Sequence, residues 1–129
     1  MDKISVIAKK HNLHIIEDAA HAIGSQYADG SYIGNCKYSD MTVFSFHPAK
    51  TITTGEGGII TTNNEQLYKK LLALRSHGIY RTKNAFGWDF QMLELGFNYI
   101  LTDFQASLGR SQLKKIESFA QQNKALLHQ

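Results

Sequence analysis

The chain has 129 residues, 43 % of them hydrophobic and 19 % charged, a balance that excludes a disordered, collagenous or coiled-coil polypeptide and suits one globular domain able to bury a core. Its 14 basic and 11 acidic residues leave a net charge of +3, and the basic residues are scattered, which gives nucleic acid little electrostatic footing. The single cysteine, Cys36, excludes an internal disulfide and a multi-cysteine zinc site and fits a reducing, cytoplasmic compartment; no apolar run nears the ~20 residues of a membrane helix, and Met1 to Val6 lacks the apolar core of a secretory signal.

Ile4, Ile7, Ala8 and His11 recur at helical spacing, so a helix is predicted over 2–11, with Lys3, Lys9 and Lys10 in water and Asn12 at its end. Leu13-His14-Ile15-Ile16 reads as a short buried strand that delivers Glu17 and Asp18 at its end. Residues 24–40, with Gly24, Asp29-Gly30, Gly34 and Asn35, read as turns with a small hairpin. Met41 to Phe46 is a second strand, stopped by Pro48, with Lys50 just beyond. Gly55-Glu56-Gly57-Gly58 is a flexible turn before a third strand, Ile59 to Thr62. Leu67, Leu71 and Leu74 mark the core-facing side of a helix over 65–76, capped by Asn63 or Asn64. Periodicity is lost over 77–98, where Tyr80, Phe86, Trp88, Phe90 and Phe97 stand among glycines in a long aromatic loop. Helical spacing restarts around Thr102-Asp103 with Leu101, Phe104 and Leu108 and continues past Gly109 through Leu113, Ile116 and Phe119. Three strands among helices indicate an α/β fold, with too few strands for a complete sheet, and no repeat or linker divides the chain.

Two stretches carry chemistry: Glu17-Asp18-Ala19-Ala20-His21 after one strand and Ser45-Phe46-His47-Pro48-Ala49-Lys50 after another. Open α/β sheets bind ligands beyond the carboxyl ends of their strands, so Asp18 and Lys50 are expected side by side. A lysine amine facing a carboxylate is what pyridoxal phosphate needs, the amine to bond its aldehyde and the acid to keep its ring nitrogen protonated; a strand-end Asp–Lys pair also makes a plain salt bridge. His47, two residues past Ser45, faces either the same site or the packing around it. His11 and His14 lack a third ligand at metal-binding spacing and read as surface histidines. Cys36 has no nucleophile motif around it and reads as structural. Gly55-Glu56-Gly57-Gly58 is not a phosphate loop, because no Gly-Lys-Ser/Thr follows it; its glycines allow close backbone approach near Lys50.

The segments Ile16-Glu17-Asp18-Ala19-Ala20-His21-Ala22, Phe44-Ser45-Phe46-His47-Pro48-Ala49-Lys50, Gly55-Glu56-Gly57-Gly58, Leu74-Arg75-Ser76-His77-Gly78 and Gly96-Phe97-Asn98-Tyr99-Ile100-Leu101-Thr102-Asp103-Phe104-Gln105-Ala106 stand in the order found in the DegT/DnrJ/StrS sugar aminotransferases, which the chain resembles over nearly its whole length. The wording is most similar to the branch that aminates C-4 of UDP-linked keto sugars on the way to pseudaminic acid. The resemblance implies pyridoxal 5'-phosphate as cofactor, a nucleotide-sugar substrate and glutamate as amino donor. It implies the aspartate-aminotransferase fold, type I, a three-layer α/β/α large domain of which residues 1–129 are the later part.

By the same resemblance Lys50 is the lysine that bonds the cofactor and shuttles protons, and Asp18 the partner of the pyridinium nitrogen. His21 falls near the cofactor's phenolic oxygen, and Ser45 donates to its phosphate. Asn98 reaches the phosphate of a neighbouring subunit's cofactor, which implies a homodimer. Where a related dehydratase branch carries histidine, this chain carries Lys50, which favours amine transfer. Family members run to about three times this length, so a phosphate-binding turn is expected upstream, a small domain downstream, and Met1 as an internal methionine. The alternative is an inactive remnant or interaction module of the same fold.

Overall fold

The computed structural model describes residues 1–80 and 90–126; Phe86, Gly87 and Trp88 of the predicted aromatic loop lie outside the described residues. In chain order the elements are α1 (Asp2–Lys10), β1 (Ile16–Asp18), β2 (Met41–Ser45), β3 (Gly58–Thr61), α2 (Glu65–Arg75), β4 (Ile79–Tyr80), β5 (Gln91–Met92), α3 (Asp103–Leu113) and α4 (Ile116–Leu126). They divide into two compact units, Met1–Asn63 with Thr102–Gln129, and Asn64–Leu101. Among the described residues no helix is long and apolar enough to cross a membrane.

In the first unit the sheet order is β1-β2-β3, with β1 parallel to β2 in the register Ile16↔Met41, Glu17↔Thr42, Asp18↔Val43, and β3 antiparallel to β2, with Val43↔Ile60 and Ser45↔Gly58. The first strand starts later than its apolar run predicts. The Ile15 N–H goes to the Asp40 carboxylate at 2.7 Å, and its carbonyl receives the Asp40 N–H at 2.9 Å, so pairing begins at Ile16 and the two acids sit inside the strand. Leu13 and Ile16 are exposed, so this is not the buried strand expected. Gly58 belongs to β3 rather than to the preceding turn, since it pairs with Ser45, and a Cβ there would lie 2.7 Å from the Phe44 carbonyl oxygen.

Alternation along the strands puts Glu17, Thr42, Phe44 and Thr61 on one face. The connector from residue 24 to 40 lies against it: a Cβ on Gly34, whose φ is 95°, would stand 2.7 Å from the Phe44 ring, and the Thr61 hydroxyl donates to the Gly34 carbonyl at 2.8 Å. The expected hairpin is there, closed by the Gln26↔Tyr32 bridge, and the Cys36 thiol donates to the Thr61 carbonyl at 3.3 Å. Thr42 is 0 % exposed, and its hydroxyl donates to Glu17 at 3.3 Å. The Tyr27 hydroxyl reaches both Glu17 oxygens, at 2.7 and 2.6 Å. Burial, reinforced by the Glu17 carboxylate, holds the Tyr27 phenol well above its ordinary value.

Helix α1 docks through the small residues Ser5 and Ala8, while Ile4, Val6 and Ile7 stay exposed; the apolar stripe that predicts the helix is not the face it buries. Helix α3 is capped by Thr102 and Gln105 in a reciprocal capping box. The predicted continuous helix breaks at Lys114-Lys115, and α4 begins with Ile116, whose Cδ1 would stand 3.0 Å from a Cβ on Gly24.

In the second unit Asn64 caps α2, its Oδ1 accepting from Gln66 at 2.9 Å and Leu67 at 3.2 Å. Ala73 is buried, but Leu67, Leu71 and Leu74 are half-buried, so the leucine face forms less of a core than expected. Part of the predicted loop is strand: β4 pairs with β5 through Ile79↔Met92 and Tyr80↔Gln91. A Cβ on Gly78 would lie 1.8 Å from the Glu94 carbonyl oxygen, so glycine lets these backbones meet where side-chain periodicity carries no signal.

Tyr27→Phe should destabilise the chain by about 1–3 kcal/mol at neutral pH, since it leaves a part-buried carboxylate without its shortest donors. The folded chain keeps the Tyr27 proton where the unfolded chain releases it, so this stability is complete below the ordinary value of 10.0 and lost as pH rises above it. Urea melts at pH 7, 9 and 11 should show the alkaline loss in the unsubstituted chain and a flatter profile in the variant.

Candidate active site

The β2 strand leaves the sheet at Ser45, and residues 46–57 return as a loop to β3. Its base is closed by the Phe46 N–H on the Gly57 carbonyl at 2.8 Å and the Thr54 N–H on the Phe46 carbonyl at 3.0 Å, with the Thr53 hydroxyl donating to the same Phe46 oxygen at 2.7 Å. Phe46, predicted as strand, is thus part of this base. Along the loop the Ser45 Oγ accepts the His47 N–H at 3.3 Å, and His47 Nδ1 accepts the Ala49 N–H at 3.1 Å. The Lys50 N–H bonds the His47 carbonyl at 3.0 Å, closing a turn with Pro48 in the position that suits its fixed φ. The sequence left His47 between the site and local packing; its ring nitrogen builds the turn that presents Lys50.

The β1 strand exits at the same end of the sheet. The Ala19 N–H continues the pairing to the Val43 carbonyl at 2.9 Å, and Asp18 Oδ1 accepts the Ala20 N–H at 3.0 Å, bending the chain as Asp side chains do at turns. His21, three residues on, then meets Lys50, with Nε2 2.6 Å from Nζ. The two nitrogens are within hydrogen-bond distance, with the donor set by the His21 tautomer. Asp18 pairs with Val43, and Ser45 lies two residues further, so alternation puts Asp18 and Ser45 on one face, opposite Glu17 and Thr42.

A cleft of about 480 Å³ opens at Lys50, walled by His21, Lys50, Thr53, Gln112, Phe119 and Gln122 among others. Asp18 and Ser45 share the sheet end but not the cleft wall. Asn98 belongs to the second unit, where it forms an isolated bridge with Ser76. Gln112, Phe119 and Gln122 were not among the residues expected from sequence. Their helices read as apolar spacing, yet Gln112 accepts the Thr53 N–H through Oε1 at 2.7 Å, and the sequence signal for it is a glutamine at helical spacing from Gln105 and Gly109.

The amine held against an imidazole thus lies beyond the carboxyl ends of adjacent parallel strands, where open α/β sheets bind ligands. All of residues 1–129 match the DegT/DnrJ/EryC1/StrS aminotransferase family, and the chain belongs to that family. It is 49 % identical over 117 residues to the UDP-4-amino-4,6-dideoxy-N-acetyl-beta-L-altrosamine transaminase of Campylobacter jejuni, an alignment covering 91 % of this chain and 30 % of the relative. Among solved structures, Helicobacter pylori PseC, an aminotransferase of pseudoaminic acid biosynthesis, matches with a TM-score of 0.82 at 36 % identity over 90 % of this chain and 30 % of its own. The PLP form of Spr1654 from Streptococcus pneumoniae, a candidate sugar aminotransferase, matches with a TM-score of 0.78 at 33 % identity, over 95 % of this chain and 31 % of its own. The structural neighbours are fold-type I, PLP-dependent aminotransferases, and the chain spans about 30 % of the length of the curated relatives it matches.

Lys50→Ala should shift the ring nitrogen resonances of His21 while leaving those of His11, His14 and His77 in place. Nitrogen-detected NMR of the imidazoles checks this, and an unmoved His21 would mean that the two side chains are not hydrogen-bonded.

Proposed function

We propose that this chain supplies the lysine-bearing part of the cofactor domain of an aminotransferase that uses pyridoxal 5'-phosphate to aminate a nucleotide-linked 4-keto-6-deoxy sugar, with glutamate as the amino donor. The observation that carries this is the Lys50–His21 contact at the end of the β1–β2 pair, in a chain of a sugar aminotransferase family. A UDP sugar is the reading supported by the name of the Campylobacter relative. The donor set fits the cofactor: a primary amine for its aldehyde, a carboxylate for its ring nitrogen, an imidazole for its phenolic oxygen and a hydroxyl for its phosphate.

When bound, the cofactor supplies an aldehyde that bonds an amine and a ring that takes up the electrons released at the reacting carbon. Lys50 Nζ would be the amine that holds that aldehyde and, when free, the base that carries the proton to and from the reacting carbon. His21, whose Nε2 stands 2.6 Å from Lys50 Nζ, would be the imidazole facing the phenolic oxygen. Asp18, whose Oδ1 accepts the Ala20 N–H, would be the carboxylate that keeps a proton on the ring nitrogen. The Ser45 hydroxyl would donate to the phosphate, and Asn98 to the phosphate held by a second subunit, which would make the working enzyme a homodimer.

Incubation with pyridoxal phosphate followed by borohydride reduction and peptide mapping should place the pyridoxyl mass on the Lys50 peptide, and Lys50→Ala should remove it. Label spread evenly over surface lysines would overturn the assignment and favour the inactive remnant. Asp18→Asn should keep the label at Lys50 but lower transamination in the intact enzyme by about 10²- to 10³-fold, the usual scale for losing one electrostatic contact to the reacting group.

A further inference from the structure

We propose that Gln105, Gly109 and Gln112, one stripe of α3, are positioning residues that fix the loop presenting Lys50; the inference rests on the role given to Lys50 above. The three stand at i, i+4 and i+7, on one side of the helix, and each meets the returning arm of the loop. Gln105 Nε2 donates to the Glu56 carbonyl at 2.9 Å. A Cβ on Gly109 would stand 2.9 Å from Thr54 Cγ2. Gln112 Oε1 accepts the Thr53 N–H at 2.7 Å. Loop and helix therefore run antiparallel, Thr53, Thr54 and Glu56 meeting positions 112, 109 and 105 in turn.

The arm is a short tether. Only Thr51 and Ile52 separate Thr53 from Lys50, and Ile52 is buried. On the other side the Lys50 N–H is bonded to the His47 carbonyl. The lysine backbone is thus pinned from both directions, one pin being the α3 stripe. A lysine stem is flexible, so where it starts decides which points Nζ reaches, and holding a reacting group near its productive geometry is worth large factors in rate. Apolar packing does not explain how α3 is docked: Phe104 is 91 % exposed, and Leu108 and Leu113 are exposed too. The polar stripe is what meets the loop.

The test compares Gln112→Leu, which removes the acceptor, Gln112→Glu, which keeps an oxygen at that position, and Gly109→Ala with the unsubstituted chain. Amide hydrogen exchange is measured over residues 51–57 and over the β1 and β2 peptides, with the rate of pyridoxal phosphate labelling of Lys50 under borohydride. Expected for Gln112→Leu is exchange about three- to tenfold faster in 51–57, the factor one hydrogen bond represents, with unchanged strands, slower labelling of Lys50, and exchange protection restored in Gln112→Glu. Gly109→Ala carries the test should Gln112→Leu not fold, because alanine favours the helix while its methyl pushes on Thr54; a better-formed α3 with a looser loop and slower labelling supports the proposal. Unchanged exchange in 51–57, loosening shared equally by β1 and β2, or a loosened loop with unchanged labelling would each overturn it. If Lys50 of the unsubstituted chain takes no label, the proposed function fails and this inference with it; if it does and the variants match it, this inference alone falls.

Discussion

Because β1 and β2 run parallel, with Asp18 beside Val43, both strands release their chains at the same end of the sheet. Antiparallel pairing would send those exits to opposite ends, and His21 would have no route to Lys50. A parallel pair needs a long crossover, ordinarily a helix. Here the crossover is the turn-rich connector, which lays Tyr27, Gly34 and Cys36 on the Glu17–Thr42–Phe44 face. Its contacts with that face are largely hydrogen bonds to a carboxylate and to threonine hydroxyls and carbonyls, which are directional and so fix register as well as coverage. The geometry at the sheet end follows from this backing: Glu17, held on one face, leaves its neighbour Asp18 on the other.

Much of this was legible in the chain. Period and capping signals placed α1, α2 and the restart at Thr102, since those segments have side chains that recur at helical spacing, and β propensity ended by Pro48 placed β2. The residues proposed for the site drew notice because they stand at or just past the ends of β-rich runs, where an α/β sheet presents its ligands. What the sequence did not show has physical causes. The β4–β5 pair is made by glycine-flanked backbone, and backbone proximity leaves no hydrophobic period. The late start of β1 comes from Asp40 taking the Ile15 N–H, a contact 25 residues away. The outward turn of Ile4 and Ile7 shows that an apolar stripe predicts a helix without naming the face that docks. The part played by Gln112 was hidden because a glutamine on a helix is most often solvated.

The family relation gives the exposed residues a context. The chain spans about 30 % of its curated relatives, and among the described residues the large side chains counted as buried apolar core are Phe44 and Ile52. Covering one leucine or phenylalanine is worth about 1.5–3 kcal/mol, against about 0.5–1.5 kcal/mol net for a hydrogen bond. Phe104, Leu108 and Leu113 are therefore the stronger resource on α3, and all three are exposed.

The helix instead meets the Lys50 loop through two amides and a glycine, and an interior glycine costs a helix about 1 kcal/mol relative to alanine. That choice is poor for strength and good for alignment. Burial is non-directional and tolerates sliding, whereas an Nε2–H on the Glu56 carbonyl and an Oε1 on the Thr53 N–H, seven residues apart on one helix, allow a single register between loop and helix. With the apolar side chains left aside and the amides aimed at the loop, α3 contributes geometry to the Lys50 site more than it contributes stability.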